Sequence, residues 1–173
     1  MTASDSGANI NIMGYVPGAI GRVAELHALY YGREWGFGLF FEAQVAAGLA
    51  EFLQRLDPGR DGFWTVCRGG RVEGSLAIDG QKGGARAEAE GAHLRWFILA
   101  DGLQGQGLGD RLLREAIGFC RRCGHQRVFL WTFQGLDRAR HLYEKHGFRL
   151  VQEREGEQWG ERVVEQRFVL DLV

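Results

Sequence analysis

The segment LQGQGLGDRLL, residues 103–113, places glycines at alternate positions, Gly105, Gly107 and Gly109, directly before an apolar stretch with helical spacing. The first amides of a helix have no partners inside it, and the aligned peptide dipoles add about half a positive charge there. Glycine removes the Cβ atoms that would hold a ligand off those amides. A phosphate or pyrophosphate is the natural occupant; a plain loop-to-helix turn that needs glycine torsions is the other reading. Two familiar phosphate loops do not fit. The dinucleotide fingerprint G-x-G-x-x-G needs a third glycine where this chain has Asp110, and the Walker loop needs Lys and Ser/Thr where it has Asp110 and Arg111.

The rest of the chain limits the partners. Its 173 residues fit one domain, expected over 10–173, with MTASDSGAN (1–9) as a disordered tail. A hydrophobic content of 45% is that of a globule with a real core. A net charge of −1 argues against a nucleic-acid surface. No apolar run approaches the roughly 20 residues that span a bilayer, and no signal-peptide pattern precedes the first apolar segment. A cytoplasmic protein is expected. Cys120 and Cys123 form a C-x-x-C pair near His125, but no fourth zinc ligand is evident, and the pair lies at the end of a helix, away from the start where thiolates are stabilised. Structural thiols, with no metal, are the preferred reading.

Periodicity and turn residues give the elements. INIMGYV (10–16) reads as a strand, followed by a helix over roughly 18–31 and a second over 39–56, whose inward face is Phe40, Val45, Leu49, Phe52, Leu53 and Leu56. FWTVCR and RVEGSLAID flank Gly69-Gly70 as a hairpin. Residues 80–91 read as a mobile connection, 92–100 as a central strand, and 108–122 as a helix with Leu108, Leu112, Ala116 and Phe119 inward. Residues 127–133 read as a buried strand and 135–147 as a helix carrying Leu136, Ala139 and Tyr143 on one face. FRLVQERE and RVVEQRFVLDL close the chain as strands. The order β-α-α-β-β-β-α-β-α-β-β predicts an α/β (α+β) fold, a mixed and mostly antiparallel sheet of about seven strands with helices on both faces.

The run from Leu94 to Leu150 resembles the GNAT superfamily of acetyl-CoA-dependent N-acetyltransferases. That family's loop reads Gln/Arg-x-x-Gly-x-Gly/Ala, and this chain has Gln104-Gly105-Gln106-Gly107-Leu108-Gly109; the later helix motif is matched by Ala139, Leu142, Tyr143, Gly147 and Phe148. LRWFIL, RVFLWTF, WGERVVEQRFVLDL and ELHALYYGREWGF also look like the acetyltransferase domains fused to MarR-type regulators, here without a helix-turn-helix module.

The resemblance implies a GNAT fold whose fourth and fifth strands splay. It implies pantetheine along the edge of Phe97, Ile98 and Leu99, and pyrophosphate on the amides around Gln106 to Asp110. Gln104, Gly105, Gln106, Gly107, Leu108, Gly109 and Asp110 would bind the cofactor, with Gln104 fixing the turn. Acetyl-CoA would be the cosubstrate, and the acceptor a primary amine of a small molecule or protein, attacking directly in a ternary complex. The family leaves room for a homodimer. Tyr143 matches the acid that protonates the sulfur; a core tyrosine is the alternative. Where many members carry an asparagine that contacts the cofactor, this chain has Leu136, with Thr132 as a substitute. No carboxylate on the fourth strand offers a general base. Glu34 is the leading choice, with His27, Tyr30, His141 or a water chain as alternatives. Trp131 and Trp159 could wall the acceptor pocket. Two other functions stay open, a non-catalytic acyl-CoA-binding sensor and a nucleotide-binding regulator.

Overall fold

Gly69 and Gly70 have φ of 58° and 80°. Two positive torsions in a two-residue loop match the right-handed twist of an antiparallel pair. They join β2 (Gly62–Arg68) to β3 (Arg71–Asp79) with Arg68 opposite Arg71. β1 (Ile10–Met13) pairs with β2, and β4 (Ala92–Leu99) with β3, both antiparallel. β5 (Arg127–Phe133), β6 (Arg149–Gly156) and β7 (Val163–Asp171) complete a seven-stranded mixed sheet of order β1-β2-β3-β4-β5-β7-β6. The only parallel pairing among the described residues joins β4 to β5. These are a computed structural model's residues 9–80, 86 and 89–173. Most of the expected tail (1–9) and of the expected connection (80–91) lies outside them.

Among the described residues, four α-helices cover the two faces, and the element order is the one read from the sequence. α1 (Ala19–Trp35) and α2 (Leu39–Gln54) pack on one face, where Val23, Leu49 and Phe52 meet Phe63, Val72 and Ala77. α3 (Leu108–Arg122) and α4 (Asp137–Lys145) belong to a core on the other, where Leu112, Leu113 and Ala116 join Leu76, Ile78, Leu94, Leu130 and Phe168. The alternation of Leu76 and Ile78 against Ala77 serves both faces at once, so β3 reads as a continuous apolar run.

Local boundaries differ from expectation in three places. α1 runs four residues past 31, because Gly36 at φ 71° closes it with N–H bonds from Gly36 to Gly32 O (3.0 Å) and from Phe37 to Tyr31 O (3.2 Å). β1 stops at Met13 instead of Val16. On α2 the inward aromatic is Phe41, not Phe40, which is 61% exposed; the stripe Phe41–Val45–Leu49–Phe52 follows the helical period more closely.

Candidate active site

The site begins with a break in β4. Ser75 pairs with Ile98 and Ala77 with Arg95, so Trp96 and Phe97 stand opposite Leu76 alone. This is a β-bulge. Trp96 takes φ 46°, the one positive value outside glycine among the described residues. Such a torsion is costly for a bulky side chain and needs support. Ser75 Oγ donates to Trp96 O at 2.7 Å, the Arg95 guanidinium lies 4.0 Å from the Trp96 ring, and Phe52 packs against that ring at 5.5 Å.

The kink turns β4 away from its neighbour. β4 and β5 pair only at Ala92–Val128 and His93–Phe129. From Leu94 onward the two strands diverge, and a cavity of about 810 Å³ opens between them. Phe97, Ile98 and Leu99 line it along β4.

The glycine loop closes one end. Gly105 and Gly107 both take φ 78°, and a Cβ added at either would meet nothing within 4 Å. Glycine serves torsion there and leaves the concave side open. Gly109 is helical; a Cβ there would lie 3.4 Å from Leu142 and 3.6 Å from Leu99 and Phe97. The first bond of α3 is Arg111 N–H to Gly107 O at 3.0 Å, so the amides of Leu108, Gly109 and Asp110 have no acceptor among the described residues. Gln104 pins the loop: its Nε2 donates to Leu99 O at 3.2 Å, and its Oε1 accepts from Arg138 Nη1 at 2.8 Å. Gln106 Nε2 donates to Gly102 O at 3.0 Å. The Asp110 carboxylate accepts from Lys145 Nζ at 2.8 Å, from His146 Nε2 at 2.9 Å, and from Arg114. The Lys145 and His146 donors come first in holding its pKa down to about 2.

Tyr143 lies buried on α4 and lines the cavity, its ring 6.2 Å from Phe97 and 5.8 Å from Phe148. Burial raises its pKa well above the ordinary value near 10, so it holds its proton at neutral pH. Tyr31, partly buried and in the lining, is shifted upward in the same way, with Tyr143 and Tyr30 contributing after desolvation.

The side chains expected on the acceptor side divide. His27, Tyr30, His141, Trp131, Thr132, Leu136 and Trp159 line the cavity. Glu34 is not in the lining: it is about half exposed and pairs with Arg33 at 2.9 Å, which also reaches Asp101 at 3.1 Å. The inward stripe of α1 is Val23, His27, Tyr31 and Trp35, at every fourth residue, and Trp35 packs on Phe133 at 5.2 Å, leaving Glu34 off the stripe. Cys120 is buried, and desolvation pushes its thiol up to about 12.

Three features of the site escaped the sequence reading. Arg138 and Lys145 line the loop end, and their seven-residue separation on one helix face was the available signal. Tyr31 was hidden beside Tyr30. The Trp96 bulge has no sequence signature of its own.

Known proteins agree with this geometry. A family model described as the acetyltransferase (GNAT) family matches residues 20–148. The structure of yncA from Salmonella typhimurium, solved with its cofactor acetyl-CoA, superposes with a TM-score of 0.74 at 17% identity, covering 95% of this chain and 94% of that one. A GNAT-family acetyltransferase from Streptococcus pneumoniae gives 0.70 at 20% identity, covering 95% and 100%. A ribosomal-protein-alanine N-acetyltransferase from Brucella melitensis gives 0.73 at 14%, covering 94% and 99%. No curated protein sequence matches the chain.

Proposed function

The chain belongs to the acetyltransferase (GNAT) family, and from that premise we propose that it is an acetyl-CoA-dependent N-acetyltransferase acting on a primary amine in a ternary complex. One observation carries the reading. The unpartnered amides of the glycine loop, the unpaired edge of β4 and the buried hydroxyl-bearing Tyr143 all face one cavity.

The residues fit the cosubstrate. The open concave side at Gly105 and Gly107 admits a pyrophosphate to the amides of Leu108, Gly109 and Asp110, at the positive end of α3. Arg138 and Lys145 add positive charge at that end. Asp110 spends its own charge on Lys145, His146 and Arg114. The diverging edge at Phe97, Ile98 and Leu99 takes the amide-bearing pantetheine arm as an added strand would be taken. When bound, acetyl-CoA supplies an activated acetyl thioester. Amides of the β4 edge would offer donors to the thioester oxygen, where fixed donors in a dry site are most effective. Tyr143, kept protonated by burial, gives its proton to the departing sulfur. The acceptor's nitrogen bonds to the acetyl carbon, the carbon–sulfur bond breaks, and the nitrogen's proton leaves through a neutral acceptor or water. Since Glu34 stands outside the lining, the cavity-facing His27, Tyr30 and His141 are the better placed groups for that last step.

Residues 10–173 are read as one such domain. The kinship with MarR-fused domains and the cytoplasmic location rest on sequence alone; among the described residues, no helix is long and apolar enough to cross a membrane.

The test is calorimetric titration with acetyl-CoA. Gly107→Glu adds bulk and charge on the open side at a torsional cost of about 1–2 kcal/mol, so a folded variant is expected to lose binding, and thiol release with it. A folded Gly107→Glu that binds as well as the parent would remove the loop from the proposal. Tight binding by the parent without thiol release from any amine would favour the sensor reading.

A further inference from the structure

The aromatic end of the cavity limits which amine can be the acceptor, given the proposed transfer reaction. Tyr31 meets Phe41 at 5.2 Å and Phe133 at 5.9 Å, and Phe37 meets Phe41 at 5.1 Å. Trp159 closes on Phe133 at 5.5 Å. All of these line the cavity.

Charges are arranged away from this wall. Among the described residues in the lining, the charged side chains are Arg95, Asp110, Asp137, Arg138 and Lys145. Arg95 is engaged by Asp79 at 3.2 Å and stacks on Trp96. Asp110 and Lys145 pair with each other, and Arg138 donates to Gln104 beside the glycine loop. Asp137 is exposed to solvent on the first turn of α4, where its field is screened. An acceptor's own carboxylate would therefore find no free cation at the aromatic end. A second ammonium group would find no carboxylate. Either would lose its hydration without compensation.

Neutral polar groups do line this space, Gln44, Gln158 and His27 among them, and of these His27 is the one that offers a ring nitrogen as acceptor. His27 Nδ1 lies 2.8 Å from Val23 O, and a carbonyl can only accept, so Nδ1 carries the proton. Nε2 keeps its lone pair and has no hydrogen-bond partner among the described residues. The ring is held between Tyr31 and Phe41, with centroids at 6.1 and 6.3 Å. Burial lowers the His27 pKa from 6.5 to about 4, so the ring is neutral wherever an amine can react.

We propose that the acceptor is a primary amine carried on an uncharged, ring-sized apolar body, its ring or chain against Tyr31, Phe41 and Phe133 and its N–H donated to His27 Nε2. Aromatic faces attract the ammonium form at encounter. A neutral nitrogen acceptor then suits the free amine, the form that attacks. The nitrogen forms its bond to the acetyl carbon as the sulfur leaves with the Tyr143 proton; the nitrogen's own proton passes to Nε2 and on to solvent, and solvent returns a proton to Tyr143.

The test uses the full chain. Acetyl-CoA binding is first measured by calorimetry, and thiol release is then followed with 2-phenylethylamine, spermidine and phenylalanine. The expected kcat/KM for 2-phenylethylamine exceeds both others by about a hundredfold or more, the scale of discrimination reached when a pocket leaves a polar group unpaired. Equal or faster reaction of spermidine or phenylalanine overturns the acceptor assignment and leaves acetyl transfer standing. Acetyl-CoA binding with no thiol release from 2-phenylethylamine likewise overturns the acceptor assignment, whereas a folded chain that does not bind acetyl-CoA overturns the transfer reading itself. His27→Asn keeps an N–H for Val23 O and deletes Nε2. It is expected to raise KM for the amine or lower kcat by about tenfold or more, with acetyl-CoA affinity unchanged. A variant with unaltered amine kinetics removes His27 from the assignment.

Discussion

Tyr143 takes its chemistry from its surroundings. Phe97, Phe148 and Phe168 pack around its ring at 6.2, 5.8 and 6.2 Å, and that apolar shell keeps its proton in place. Tyr143→Phe keeps the ring and deletes the hydroxyl that the proposed mechanism uses as its acid. We expect kcat to fall by about 10²–10⁴-fold, the usual size of a lost acid–base group, while acetyl-CoA affinity holds; single-turnover thiol release against calorimetry separates the two. Near-parental single-turnover rates would leave Tyr143 a packing residue. The cavity-facing placement of Tyr143 was legible in the sequence because its motif and its helical face agreed. Glu34 draws attention because a carboxylate among aromatics looks functional in one dimension, whereas the fourfold stripe that ends in Trp35 decides which side chains of α1 turn inward and leaves Glu34 outside the lining. Phe40 and Phe41 pose the same problem. Adjacent aromatics lie about 100° apart on a helix, and packing chooses between them.

Elements meet at the loop through charge as well as shape. Asp110 on the first turn of α3 accepts from Lys145 and His146 at the end of α4, so one carboxylate fastens the two helices that frame the glycine loop. Its pKa falls from 3.8 to about 2 on folding. A carboxyl depressed by folding stabilises the native state above its unfolded pKa, and that contribution is lost as pH falls through the folded one. Asp110→Asn is therefore expected to be less stable than the parent at pH 7. The difference should shrink between about pH 4 and pH 2 and vanish below; urea melts of both proteins across that range measure it. A constant difference would mean that the asparagine acts through something other than charge. At this scale the sequence was most readable where residue chemistry forces an outcome. Gly69-Gly70 could only be a tight hairpin, and the apolar runs of β4 and β5 could only be interior strands. It was least readable where a helix ends by a glycine torsion four residues later than composition suggests, as at Gly36.

Across the whole molecule the sheet is nearly two sheets. β1 to β4 and β5, β7 and β6 share two residue pairs, with the cavity between them. A ligand lying along that parting contacts both parts, so it adds cohesion that the chain lacks alone. Saturating acetyl-CoA is expected to raise stability by about 2.7 kcal/mol at a hundred times Kd. Amide exchange should slow most at Leu94–Leu99 and at Gly105–Asp110. Uniform protection, or none at these segments, would place the ligand elsewhere. The order of elements was legible from periodicity and the resemblance. The parting was expected from the resemblance alone, because it follows from one strained torsion at Trp96 that three neighbours enforce, and no local pattern in LRWFIL announces it.

The two faces of the sheet carry separate packing. Leu108, Leu112 and Tyr143 belong to one cluster; Phe37, Phe41 and Phe133 belong to another, with Tyr31 packed against it. Changes in groups that share no neighbours add with little interaction. On the proposed function, a lineage built on this chain can redraw its taste for amines by drift in α1 and α2, one aromatic at a time, while the proposed grip on the acyl donor is inherited intact.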